Sequence, residues 1–183
     1  DAGVCGVRIN ELFAGGASAD QLQRIAKRCR PLGWHLDLAL HGHRLRELAP
    51  TLRALDIRLV IDHMGWCPAE QGVEQPDFQA VLDLVRMDDC WIKLSGAYRM
   101  SAQPAPYADV APFVRALAQA APTRTIWGTD WPHTALTDPA RMPDPGALLD
   151  VLSAHLGDAA QLHATLVDNP LRLFGKPGTP VHG

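Results

Sequence analysis

Residues 58–63, Arg58-Leu59-Val60-Ile61-Asp62-His63, place three consecutive branched apolar side chains before a charged end. A continuous run of this kind, set between segments of helical period, fits a parallel strand buried on both faces. Working outward, the same unit recurs. An amphipathic segment at about Leu45 to Leu55 precedes the run, and a loop with Gly65, Pro68 and Gly72 follows it. Asp77 to Arg86 then carries a helical stripe of Phe78, Val81, Leu82 and Val85. Further strand-like runs lie at Val4 to Asn10, Trp34 to Leu40, Trp91 to Ser95 and Thr125 to Thr129, so five βα units can be counted. Ser18-Ala19-Asp20-Gln21 is a capping box opening a helix through about Arg30. Another helix runs from about Val110 to before Pro122, and two more span Pro145 to Leu156 and Asp158 to Val167. The alternation predicts an α/β fold with a parallel sheet. It leaves open a doubly wound sheet or five-eighths of a barrel, and no glycine-rich phosphate loop follows any strand to support a nucleotide site.

Composition narrows the function. The chain has 183 residues, is 47% hydrophobic and carries a net charge of −3. With no block of like charge it gives no reason to expect nucleic acid or a membrane surface as partner, and a small-molecule substrate is expected. Its four cysteines, Cys5, Cys29, Cys67 and Cys90, are widely spaced and read as free thiols of a reducing cytoplasm. There is no apolar run near the ~20 residues of a membrane span and no signal segment. The first residue is Asp1, only two residues before a strand-like run, which gives the expectation that the chain begins inside a larger fold.

Polar residues gather at the carboxyl ends of the expected strands: Arg8, His63, the Ser95-to-Arg99 segment, and Asp130 with His133. Barrel enzymes build their active sites at that edge. A carboxylate in a partly dry barrel mouth can take a proton from water, and a histidine, arginine or metal can stabilise charge on a carbonyl oxygen. Asp130 suits the first role, and His63 and Arg99 the second. Arginine also matches a carboxylate bidentately, which suits an acidic substrate. The plainer readings are a satisfied structural histidine and arginines in surface ion pairs. His35 and Asp37 share one face of a strand and read as an interior pair, while Trp131 and His133 read as pocket wall.

At these positions Ile61-Asp62-His63-Met64-Gly65, Lys93-Leu94-Ser95-Gly96-Ala97-Tyr98-Arg99, Gly128-Thr129-Asp130-Trp131-Pro132-His133 and Asn169-Pro170-Leu171-Arg172-Leu173-Phe174-Gly175 occur in order. The set resembles the amidohydrolase-related branch that contains 2-pyrone-4,6-dicarboxylate lactonase and the sugar-acid lactonases. The resemblance implies a (β/α)8 TIM barrel of which this chain covers strands four to eight. Residues 1–176 would be the C-terminal part of the barrel, and residues 177–183 a tail. It implies a hydrolase, lactonase-like and of the metal-dependent type, in which Asp130 activates water and His63 polarises or binds the carbonyl. It also implies that Arg99 and Arg8 grip a substrate carboxylate, with His133 a further substrate contact. Zinc is the candidate divalent metal of the intact barrel, and His63 and Asp130 are the residues that would ligate it.

The chain departs from the family's pattern in several places. The His-x-His pair of the first barrel strand has no counterpart before residue 4, and His41-Gly42-His43 follows the wrong strand and reads as loop histidines. A second arginine and a tyrosine of the dicarboxylate lactonase correspond to Ala14 and about Ala39. The alternatives are a metal-dependent decarboxylase or amide hydrolase, or an inactive fragment that only binds a metabolite. A partial barrel also has exposed edges, which would favour self-association or pairing with an N-terminal segment.

Overall fold

In a computed structural model, residues 3–11, 17–134, 136–138 and 142–175 are described. The expected tail at 177–183 and the comparison at Ala14 lie outside them. The strands are β1 (Gly6–Asn10), β2 (His35–Ala39), β3 (Leu59–Ile61), β4 (Cys90–Lys93) and β5 (Thr125–Ile126). Between and after them lie α1 (Ala19–Cys29), α2 (Gly42–Ala54), α3 (Pro76–Val85), the single turn α4 (Ala97–Met100), α5 (Ala111–Ala120), α6 (Pro145–Leu156), α7 (Ala159–His163) and α8 (Asn169–Phe174). Every neighbouring pair of strands is parallel, and the order is β1-β2-β3-β4-β5. A doubly wound sheet reverses its order at a switch point. This sheet does not, so it follows the winding of a barrel, where each right-handed crossover returns on the same side.

Strand alternation divides the sheet's residues between two faces. Leu36, Leu38, Leu59, Ile61 and Ile92 are buried against the helices, whose stripes include Leu22 and Ala26 of α1, Leu45 and Leu52 of α2, and Phe78 and Val81 of α3. The Phe78 ring meets Phe113 of α5 edge-on at 4.5 Å between centroids. The opposite face would line a barrel interior. Its lower layer is apolar, with Val60, Trp91 and Ile126 packed on Leu173 of α8. Phe174 contacts the His35 ring at 5.9 Å. The Asn169-Pro170 motif holds α8 there, because the Asn169 amide donates to Thr125 O at 2.8 Å and Pro122 O at 3.1 Å. Above this layer the same face carries Arg8, Asp37, Asp62 and Lys93.

Several boundaries differ from the expected ones. The capping box at Ser18 and Gln21 forms, and α1 starts where it predicts. By contrast α2 begins at Gly42, not near Leu45, so His43 lies in its first turn and is not a loop histidine, while His41 stays outside the helix at the N-cap position with no side-chain cap bond. A side chain at 42 would stand 2.5 Å from Cys67 Sγ, which requires glycine there. The fifth strand keeps only Thr125 and Ile126, pairing with β4 alone among the described residues, and the chain then turns away to place Asp130. His35 and Asp37 do share a face, but the carboxylate of Asp37 pairs with Lys93 and Arg8, while His35 packs on Phe174. All four cysteines are free, three of them buried and Cys5 half-buried. No described helix is long and apolar enough to cross a membrane.

Candidate active site

The carboxyl ends of β3, β4 and β5 deliver the parts of a single cluster. Immediately after β3 the backbone enters left-handed geometry, with φ of 49° at His63, and after β5 it does so again at Asp130 (62°) and His133 (58°). Such angles are uncommon outside glycine, although Asp and His tolerate them better than most residues, and held strain of this kind gathers at functional sites. Here the turns swing His63 and Asp130 toward one another. His63 Nε2 stands 3.5 Å from Asp130 Oδ1.

The two oxygens of Asp130 are in different surroundings. Oδ2 accepts from the Tyr98 hydroxyl at 2.6 Å and from Arg99 Nε. Oδ1 faces His63 without a hydrogen bond among the described residues, and so is the oxygen open to a water or substrate proton. Tyr98 and Arg99 come from the single turn α4, whose start is Gly96 at a φ of 69°. The Arg99 guanidinium also donates to Thr134 O at 2.9 Å and lies between the Trp66 and Tyr98 rings, 5.2 and 4.9 Å from their centroids. Burial and the Asp130 acceptor push the Tyr98 hydroxyl far above its ordinary pKa, so it stays a donor. Burial lowers the pKa of His63, and Arg99 and Arg8 act in the same direction against Asp62 and Asp130, which keeps the imidazole neutral. Its Nδ1 lies 2.9 Å from Ser95 Oγ.

Below this pair four charges from four strands interlock. Asp62 is 0% exposed. Lys93 Nζ hydrogen-bonds Asp37 and forms an ion pair with Asp62 Oδ1 at 2.6 Å, while Arg8 reaches Asp62 Oδ2 and stands 3.4 Å from Asp37 Oδ1. Burial would raise the Asp62 pKa, but Lys93 and its neighbours outweigh it and hold the carboxyl below its usual range. Burial would likewise lower Lys93, yet Asp62 and Asp37 keep the ammonium above its ordinary value. Two cations and two carboxylates thus form a neutral layer under His63.

The structure therefore brings together His63, Asp130 and Arg99, with His133 beside them: its Nδ1 is 3.2 Å from the Tyr98 hydroxyl, and the ring is buried. Arg8 sits one layer lower, with its side chain 46% exposed. Trp131 is 75% exposed and forms no wall, unlike His133. His41 touches the cluster only through Trp66, whose ring it meets edge-on at 5.0 Å. Sequence reasoning gave no role to Tyr98, Ser95, Asp62 or Lys93, although all four stood inside the quoted motifs. A groove of about 820 Å³ between β1 and α1 is lined by Arg8, Asn10, Gln21, Arg24 and Arg28, and only Arg8 links it to the cluster.

Among the described residues no three His, Cys, Asp or Glu side chains are grouped to hold a metal ion. His63 and Asp130 supply two of the three protein ligands that a catalytic zinc takes. The described residues do not fit a resident zinc.

The model of the amidohydrolase family matches residues 1–176. The chain is 42% identical over 176 residues to the 4-sulfomuconolactone hydrolase of Rhizobium radiobacter, covering 94% of this chain and 59% of that protein. It is 38% identical over 186 residues to the 2-pyrone-4,6-dicarboxylate hydrolase of Comamonas testosteroni, covering 95% and 60%. An apo crystal structure from Agrobacterium tumefaciens superposes with a TM-score of 0.80 at 33% identity, over 95% of this chain and 61% of that one. The chain thus spans 59–60% of the length of these curated relatives.

Proposed function

The chain belongs to the amidohydrolase family, and from that premise we propose that the whole protein opens a lactone or similar cyclic ester of an acidic small molecule. Asp130 Oδ1 takes a proton from water as the water oxygen bonds to the ring carbonyl carbon. His63 Nε2 stabilises the charge that gathers on the carbonyl oxygen. Collapse of the tetrahedral intermediate breaks the ring C–O bond, and the proton held by Asp130 passes to the departing ring oxygen. The observation that carries this reading is the asymmetry of Asp130, whose Oδ2 is held by Tyr98 and Arg99 while Oδ1 stands open 3.5 Å from His63. A carboxylate held in this way is oriented for proton transfer before substrate arrives.

The anion of the substrate has cations to meet. Arg8 is the more open of the two arginines, and Arg99 keeps Nη1 outside the bonds it makes to Asp130 and Thr134. His133 lines the wall beside Tyr98. The names of the lactone-opening relatives support the substrate class, since both carry acidic groups on a lactone or pyrone ring. The test is turnover of matched compounds in the whole protein: an acidic lactone, the neutral lactone of the same ring and the corresponding lactam. The expected order is acidic lactone first, neutral lactone weaker through a higher KM, and no lactam cleavage. Preferential cleavage of the lactam, or release of carbon dioxide from an acid, would replace this reading with an amide hydrolase or a decarboxylase.

A further inference from the structure

His63 is buried, and each ring nitrogen faces a defined neighbour. Nδ1 lies 2.9 Å from Ser95 Oγ, and Nε2 faces Asp130 Oδ1 at 3.5 Å and Asp62 Oδ2 at 4.0 Å. A neutral imidazole has one N–H, so the nitrogen without it must accept. If the proton sat on Nδ1, it would be donated to Ser95 Oγ, and the serine hydrogen would need another acceptor. Ser95 is buried, and Oγ has no second partner among the described residues. A buried hydroxyl hydrogen left without an acceptor is destabilising. In the same state the bare Nε2 lone pair would point at two carboxylates. With the proton on Nε2 both conflicts vanish: the serine donates to Nδ1, and N–H faces negative oxygen.

We propose that Ser95 is a positioning residue whose hydroxyl donates to His63 Nδ1, holds the ring in the Nε2–H tautomer, and so presents His63 to the substrate carbonyl as a hydrogen-bond donor. Gly96 completes the slot. A Cβ at that position would stand 2.9 Å from His63 Nδ1, so the Ser95-Gly96 pair sets both where the ring lies and which nitrogen carries the proton. No proton leaves His63 in this role, because Asp130 takes the one from water. The assignment also separates two chemistries. Metal ligation through Nε2 needs the other tautomer, with Nδ1–H donated outward. The substrate half of the inference rests on the lactone-opening reading, while the tautomer half stands apart from it.

The test is 15N NMR of the histidine side chains in the protein, with His63→Gln used to assign the ring, on wild type, Ser95→Ala and Ser95→Thr. The wild type should show a pyrrole-type Nε2 and a pyridine-type Nδ1. Ser95→Ala should mix the tautomers and lower kcat for an acidic lactone by about 10–100-fold, the range for loss of an orienting outer partner, with KM little changed. Ser95→Thr, which keeps the hydroxyl, should restore both readouts. A pyridine-type Nε2 in the wild type overturns the proposal, and so does Ser95→Ala with its tautomer unchanged, whatever its rate. If alanine at 95 prevents folding, the wild-type and threonine spectra still decide. An Nε2–H spectrum in a protein that opens no lactone supports the tautomer and removes the lactone reading alone.

Discussion

Replacing Asp130 by asparagine is expected to lower kcat for lactone opening by about 10²–10⁴-fold, the usual cost of a lost general base. The substitution is a clean one in this setting. Asparagine has nearly the same shape, and its amide oxygen can still accept from the Tyr98 hydroxyl and Arg99, which hold Oδ2 in the native protein. Position 130 has a φ of 62°, and asparagine is among the residues that adopt such geometry most readily. The fold should therefore survive, and a thermal melt close to wild type is the control. KM should change far less than kcat, because the variant loses basicity and not the binding cations. Near wild-type turnover with an unchanged pH profile would move the base to another group.

The second large effect concerns stability. Lys93→Met keeps the length and apolar stem of the lysine but removes the ammonium that is ion-paired with both Asp37 and Asp62. Asp62 is 0% exposed and would keep only Arg8 as a close cation. Breaking a buried pair in this way typically costs about 3–5 kcal/mol, because the remaining charge is left uncompensated. A urea titration at pH 7 should show the loss. Its pH dependence has a definite sign. Burial, and Asp62 beside it, already hold the Asp37 carboxyl above the ordinary range. Without Lys93 it rises further, so the folded variant binds a proton that the unfolded chain has released. Stability then increases as pH falls from 7 toward the ordinary carboxylate pKa, and the deficit relative to wild type narrows. A deficit that is small at pH 7, or that widens on acidification, would contradict the layer of interlocked charges described here.

What could be read in the sequence followed from local physics. The Ser18 capping box set the start of α1, and the apolar period set α3 and α6, because those signals act within a few residues. The start of α2 was hidden, since His41 makes no side-chain cap and the position is fixed instead by the fit of Gly42 against Cys67. β5 was drawn too long, because an apolar run cannot report that its neighbour on one side is absent among the described residues. Asp130 and His63 stood out as polar ends of apolar strands. Lys93 and Asp62 did not, because a lysine near a strand end ordinarily reads as solvated. Their meaning lies across the register: Arg8 pairs with Asp37, Asp37 with Val60 and Val60 with Trp91, so Asp62 and Lys93 stand two residues further along their strands, and the four charges meet only through their side chains. Tyr98 stood inside the Ser95-to-Arg99 segment without a role of its own, because its partner Asp130 is 32 residues away and the turn at Gly96 brings them together.

The most direct test of Asp130 as the base that activates water is a single turnover of an acidic lactone in water enriched in oxygen-18, with enzyme in excess over substrate. Mass spectrometry then reads the ring-opened acid and the peptide that contains Asp130. If Asp130 removes a proton from the attacking water, the label enters the new carboxylate of the product and none enters Asp130. Label in the Asp130 carboxylate would show that the aspartate had itself attacked the carbonyl and been released by water, and would contradict the account.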